Sequence, residues 1–189
     1  LSYAILFSMK SVEGIILKKT PRREADVIVT LYTREHGLME LVAKSARKQE
    51  AKLKAGLDLF NHVEVFYVPA RRWPIATDFK IKNDFKWVKN EIKRLKLASF
   101  LAYVMNRVFE PGLADPAVWH SVLNYFNTIN RSDLARENMR DVVYLWCHDI
   151  LVLNGLDPKS PDFKPMAGAE LKKKTQDLFL HHFGIAIDL

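Results

Sequence analysis

The sequence is poor in the residues that build most catalytic and covalent frameworks. Of 189 residues only one is a cysteine, Cys147. A single thiol excludes an intrachain disulfide and any metal site that needs two or more cysteine ligands. The seven glycines spell neither G-x-x-x-x-G-K-[ST] nor G-x-G-x-x-G, so no phosphate-cradling loop of either kind is present. The nucleophile elbow G-x-S-x-G and the zinc motif H-E-x-x-H are missing too. No apolar run approaches the roughly 20 residues of a membrane span. Residues 1–7 are apolar but short, without the basic leader or cleavage site of a signal peptide. The lone cysteine fits a reducing cytoplasm, and Met9-Lys10 reads as a natural start that leaves residues 1–8 as an extension.

Two pairs of chemically able residues remain, and neither makes a site. Cys147 and His148 are adjacent on a predicted helix, where neighbours point about 100° apart. Cys147 is read as a buried small apolar residue. Asp177 and His181 stand at i, i+4, but two ligands do not hold a metal, and an ordinary helix-surface pair explains them. No enzyme activity, cofactor or metal is expected.

What the chain does have is positive charge in one half. Lys and Arg number 29 against 22 Asp and Glu, a net of +7. Residues 1–86 hold 16 of those cations and 10 of the acids, a net of +6, which leaves +1 for residues 87–189. A basic half beside a neutral one points to a polyanion-binding module joined to something else. With 49% hydrophobic and 27% charged residues, the chain has the make-up of a folded protein with a core.

The two halves also differ in hydrophobic period. Residues 12–17, 26–33, 38–43, 57–68 and 73–79 are short, β-branched or aromatic runs separated by turn residues. Gly37 closes a hairpin between the second and third runs. Val63, Val65 and Tyr67 alternate with His62, Glu64 and Phe66. Five short strands, with a helical crossing near 50–56, predict a small Greek-key barrel of the OB type over residues 9–80. From residue 84 the period becomes helical. Predicted helices cover 85–109, 115–129, 132–154 and 169–183, with Gly184 as the last stop. They form an all-α bundle over residues 81–189, so the chain is an α+β protein of two domains.

The cations of the first half fall in clusters. Lys18, Lys19, Arg22 and Arg23 bracket the first turn, and Arg34 follows the second strand. Lys44, Arg47, Lys48, Lys52 and Lys54 follow the third strand, and Arg71 and Arg72 precede Trp73. On an OB barrel such positions are loops and strand ends, where phosphate contacts give sequence-independent, salt-sensitive affinity. Tyr32, Phe66, Tyr67 and Trp73 are either core residues or stacking platforms for bases; Trp73, beside two arginines, has the strongest claim to stack.

The same residues resemble a family. Gly14-Ile-Ile-Leu-Lys18, Glu24-x-Asp26, Leu31-Tyr-Thr33 followed by Gly37, and Ala43-Lys44-Ser-Ala-Arg47 resemble the N-terminal domain of the bacterial DNA repair protein RecO. Asn154-Gly155-Leu156-x-Pro158 is similar to a helix-ending segment of that family. The resemblance implies an OB fold followed by a helical domain, with a cytoplasmic, nucleoid-associated place of action. It implies a recombination mediator that binds single- and double-stranded DNA and anneals strands. Its implied partners are RecR, the acidic C-terminal tail of the single-stranded-DNA-binding protein SSB and, indirectly, RecA. An acidic tail needs an apolar pocket with a basic rim, which Lys89, Lys93, Arg94 and Lys96 could supply; a solvated helix face is the competing reading. Many relatives carry four zinc-binding cysteines after the Gly155 segment. Residues 157–165 contain none, so a zinc-free short form is expected. Ser45 stands where the family has glycine. Two other readings fit the residues: an adaptor for acidic protein tails, and a small RNA-binding OB protein.

Overall fold

The computed structural model describes residues 9–46, 53, 55–156 and 168–187. Five strands make a closed barrel: β1 (Lys10–Arg22), β2 (Asp26–Thr33), β3 (Gly37–Ala43), β4 (His62–Val68) and β5 (Ile75–Asn83). Around the barrel the order is β1-β2-β3-β5-β4, and β4 returns to β1. All pairings are antiparallel except β3 with β5, which run parallel through Val42–Ile75 and Ala43–Ala76. This is the predicted OB-type barrel. A 3₁₀ turn, Ala55–Leu57, lies between β3 and β4.

Alternation explains the barrel interior. Val27, Val29 and Leu31 of β2 point in, as do Val63, Val65 and Tyr67 of β4. They meet Val12 and Ile16 of β1, Leu41 and Ala43 of β3, and Ala76 and Phe79 of β5. Successive side chains of a strand face opposite ways, so one such row per strand fills a small barrel. The register of β1 slips between Ile16 and Lys18. That irregularity lets the strand bend; Ile15 and Leu17 are also buried, outside the cluster that fills the barrel. The first strand is therefore longer than its apolar run: Lys18, Lys19 and Arg22 lie on β1 itself, and the turn begins only at Arg23, with φ 51°.

Two compact units divide the chain. One reaches Phe85 and also includes Phe109–Asp115; the other comprises Lys86–Val108 and the chain from Pro116 onward. The added segment caps one edge of the barrel. Phe109 sets its ring edge against Tyr32 at 5.9 Å, and the Gly112 N–H donates to the Leu38 carbonyl at 3.1 Å.

The second unit holds five helices: α1 (Lys86–Asn90), α2 (Ile92–Val108), α3 (Pro116–Ile129), α4 (Met139–Leu153) and α5 (Ala169–Phe183). The first predicted helix is thus two, broken at Glu91, whose carboxylate receives Arg94 at 2.7 Å and Arg136 at 3.2 Å. The third predicted helix starts at Met139 instead of 132. The segment before it makes isolated turns, Leu134 N–H to the Arg131 carbonyl and Asn138 N–H to the Ala135 carbonyl, and the Arg131 and Leu134 carbonyls also accept from the Arg94 guanidinium. The remaining ends are as expected: Gly184 adopts φ 66° and its N–H returns to the Leu180 carbonyl, a left-handed stop that glycine takes without Cβ strain. Tyr125 of α3 packs on Trp146 of α4 with ring centres 5.3 Å apart. Cys147 is fully buried, and burial pushes its thiol pKa well up, the state of an inert core cysteine.

Gly37 is a conformational requirement of the barrel edge. Its φ is +62°, and a Cβ there would come within 2.0 Å of the Leu113 carbonyl oxygen. Gly112 has φ +83° but open space around it. Gly37→Ala is expected to lower unfolding free energy by about 3 kcal/mol, and Gly112→Ala by only about 1 kcal/mol. Urea denaturation of the two variants measures the difference.

Candidate nucleic-acid interface

Strand register decides which cations meet. Arg22 pairs with Asp26 across the β1–β2 turn, and Val27 pairs with Ala43. The ends of β1 and β3 and the start of β2 therefore share one end of the barrel. The β3–β5 pairing adds Ile75, and with it the loop that carries Arg71, Arg72 and Trp73. Here a cleft of about 230 Å³ is lined by Arg22, Arg23, Lys44, Arg72, Trp73 and Asp26, among others. Four of those side chains are cationic and one is acidic. Lys44, Arg71 and Arg72 are exposed, and Arg22 and Trp73 are half-buried.

The cleft is held by specific contacts. The Ser45 N–H donates to Asp26 Oδ1 at 2.9 Å, which anchors the turn after β3. Ser45 itself has φ 55°, the left-handed conformation that glycine adopts without strain. The serine therefore occupies the turn in the backbone conformation a glycine would prefer. The guanidinium carbons of Arg22 and Arg72 lie over the Trp73 ring, at 4.4 and 4.1 Å from its centre. Trp73 Nε1 donates to Glu40 Oε2 at 3.1 Å.

Other predicted residues lie elsewhere. Lys18 and Lys19 are exposed on the barrel wall, opposite Thr30 and Val29. Arg34 follows the far end of β2 and does not join the cleft; its guanidinium lies 3.7 Å from Glu13 Oε2. Arg47, Lys48, Lys52 and Lys54 lie outside the described residues. Of the aromatic candidates, Tyr32 and Tyr67 are core residues, Phe66 is half-buried, and Trp73 is engaged by two arginines.

In the helical unit Arg94 corrects the predicted basic rim. It is 3% exposed, hydrogen-bonds the carbonyls of Ile129 and Arg131 at 2.6 Å each, and pairs with Glu91. It is a structural cation that joins α2 to the α3–α4 connection. Its charge grouped it with Lys89, Lys93 and Lys96, but its five donors find acceptors inside. Lys89 on α1 is half-buried. Lys93 and Lys96 do line a groove, and they do so with Arg136 and Arg140, which sequence reading missed. Leu97 and Met139, both buried, form its floor, and the groove measures about 220 Å³. Arg136 and Arg140 stand at i, i+4, and Lys93 and Lys96 at i, i+3; only the packing of α2 on α4 reveals that the two pairs face each other.

Among the described residues no group of three His, Cys, Asp or Glu could hold a metal ion, and no helix is long and apolar enough to cross a membrane.

A closed five-stranded OB barrel with a cationic cleft at one end defines the class of the N-terminal unit. Residues 8–77 match the family described as Recombination protein O N terminal. Proteins named DNA repair protein RecO are similar in sequence. The one from Moorella thermoacetica is 26% identical over 107 residues, covering 57% of this chain and 40% of the relative. One from Listeria monocytogenes is 25% identical over 122 residues, covering 65% and 48%. The one from Koribacter versatilis is 41% identical over 64 residues, covering 34% and 26%. The chain spans less than half the length of each of these relatives. Residues 8–77 are therefore a RecO N-terminal domain by sequence, and the similarity to RecO proteins extends over as much as 65% of the chain.

The far end of the barrel carries a charge cluster of a different kind. Glu13 Oε1 lies 2.8 Å from His62 Nε2, and Glu13 Oε2 lies 2.8 Å from Lys82 Nζ. Burial acts to raise the Glu13 pKa, but hydrogen bonds from Lys82 and His62 outweigh it and hold the carboxyl below its ordinary 4.5. Burial lowers His62 below its ordinary 6.5, against the pull of Glu13. Both folded-state values lie below the unfolded ones, so both groups contribute stability at neutral pH that is lost as pH falls. The thermal midpoint should begin to drop below pH 6.5 and drop further below pH 4.5. His62→Gln should remove the upper part of that dependence in a pH series of thermal melts.

Proposed function

We propose that this chain acts in DNA repair and recombination as a mediator that binds single- and double-stranded DNA and anneals complementary strands. In this reading it helps load RecA onto SSB-coated DNA together with RecR. The match of residues 8–77 to the RecO N-terminal family supports the repair setting. The observation that carries the DNA reading is the cleft at the barrel end, where Arg22, Arg23, Lys44 and Arg72 converge with Asp26 as the one acid among its lining residues. Cations gathered in this way bind a phosphate backbone by displacing its counterions, without regard to sequence. Annealing follows if two strands are held on basic surface: their mutual repulsion is reduced and their local concentration rises. No bond is broken, and the reading needs no catalytic group.

A salt titration of oligonucleotide binding tests this. Four phosphate contacts on a single strand predict a slope of log K against log salt of about −3. Lys44→Ala should weaken binding by a similar factor on unrelated sequences. A slope near zero, or a loss confined to one sequence, contradicts backbone contact. Annealing of complementary strands, measured with and without SSB, tests the mediator role.

One observation favours a second, compatible role. The α2–α4 groove combines an apolar floor, Leu97 and Met139, with a rim of Lys93, Lys96, Arg136 and Arg140. That is the chemistry an acidic tail with apolar side chains requires, and the SSB C-terminal tail is the partner it suits. Lys96→Glu with Arg140→Glu should weaken binding of a labelled SSB-tail peptide about tenfold or more. Oligonucleotide binding should stay unchanged; fluorescence anisotropy with both probes separates the two.

A further inference from the structure

We propose that Trp73 is a positioning residue that presets the guanidinium groups of Arg22 and Arg72 for a phosphodiester, and not a platform for a nucleobase. The inference rests on reading the barrel end as a DNA interface, and it concerns how that interface meets the strand.

Three contacts carry it. Arg22 ends β1, while Arg72 lies in the loop before β5, and both guanidinium carbons lie over the same indole at 4.4 and 4.1 Å. The indole edge is fixed by its N–H bond to Glu40 of β3 at 3.1 Å. The next residue, Pro74, accepts the Val42 N–H at 2.9 Å, which ties the loop to the same strand. Glu40 and Val42 thus hold Trp73 from one wall of the barrel.

Two guanidinium groups placed near each other repel. The electron-rich face of an indole attracts a cation, so one ring that engages two arginines offsets part of that repulsion before any ligand arrives. Arginine carries five N–H donors in a planar fork, and attraction to a ring leaves donors for phosphate oxygens. A base would have to displace a guanidinium to stack on a face that one covers. Lys44, Arg23 and the two held arginines line the same cleft, so the cations nearest to Trp73 point to phosphate as the ligand. Side chains held beforehand lose less freedom on binding than free ones.

The discriminating probe is a strand without bases. The full chain is titrated with a single-stranded oligonucleotide and with a strand of the same length made of abasic residues. Wild type should bind the two within about threefold of each other. Trp73→Leu should weaken both by a similar factor of about fivefold, and Trp73→Phe, which keeps a ring face, should recover most of the loss. In an Arg22→Ala, Arg72→Ala background, Trp73→Leu should cost little more, since it has no guanidinium left to place. A loss confined to the strand with bases would mark Trp73 as a stacking platform and overturn the proposal. So would an unchanged affinity in Trp73→Leu, or a Trp73→Phe protein no better than Trp73→Leu. If wild type binds neither strand, the DNA reading of the barrel end fails and this inference falls with it.

Discussion

Two rungs of parallel pairing, Val42 with Ile75 and Ala43 with Ala76, close the barrel, and the cationic cleft depends on them. Without that closure β3 and β5 would be open edges, and the loop of Arg72 and Trp73 would have no fixed relation to Lys44 or Arg22. The rungs are few because the parallel stretch is short, yet the neighbouring Val42 N–H is also bonded to the Pro74 carbonyl. The core supports the closure from inside: Ala43 and Ala76, small residues on adjoining strands, are both buried in the barrel interior. Leu41 and Phe79 belong to the same interior cluster.

The two ends of the barrel solve the problem of clustered charge in opposite ways. At the far end Glu13 receives His62 and Lys82, with Arg34 close by. At neutral pH His62 is uncharged there, so Glu13 offsets part of the charge of Lys82 and Arg34. At the cleft the charge is less balanced. Asp26 is occupied by the Ser45 N–H, and Glu40 receives the Trp73 N–H. Both acids accept from neutral donors there. The Trp73 ring adds an uncharged attraction for Arg22 and Arg72. A cation held by an aromatic face keeps its full charge available to an anion, whereas one held by a carboxylate does not.

The strands were legible because alternation and barrel closure agree: Val63, Val65 and Tyr67 point inward as their spacing implies. The helical half was legible in period but not in detail. The helical run breaks at Glu91, in a stretch with no Pro or Gly to mark it. Arg94 is buried while its neighbours Lys93 and Lys96 are exposed. It stands three, four and seven positions before Leu97, Ala98 and Leu101, all buried, so its spacing is that of the apolar face; its charge alone grouped it with the basic cluster. Arg136 and Arg140 were missed for another reason. Their significance is relational, set by which helix lies across from them. Trp73 was found for its position beside two arginines, yet the role inferred from composition differs from the one its contacts suggest, because Arg22 reaches it from a strand distant in sequence.

Similar cations make chemically different surfaces in the two units. The α2–α4 groove has a floor of Leu97 and Met139 beneath its rim, so a ligand there can bury apolar surface as well as neutralise charge. The barrel cleft includes apolar neighbours too, Val42 and Ile75, but its one large ring is engaged by guanidinium groups. Hydrophobic burial is insensitive to moderate salt, whereas phosphate binding falls steeply with it. A ligand of the groove would be held by apolar fit as well as by charge, whereas on the reading proposed above a ligand of the cleft would be held mainly by charge. The division follows from architecture. Strand ends of a small barrel gather cations around backbone turns, while two packed helices leave a furrow whose floor is their own hydrophobic seam.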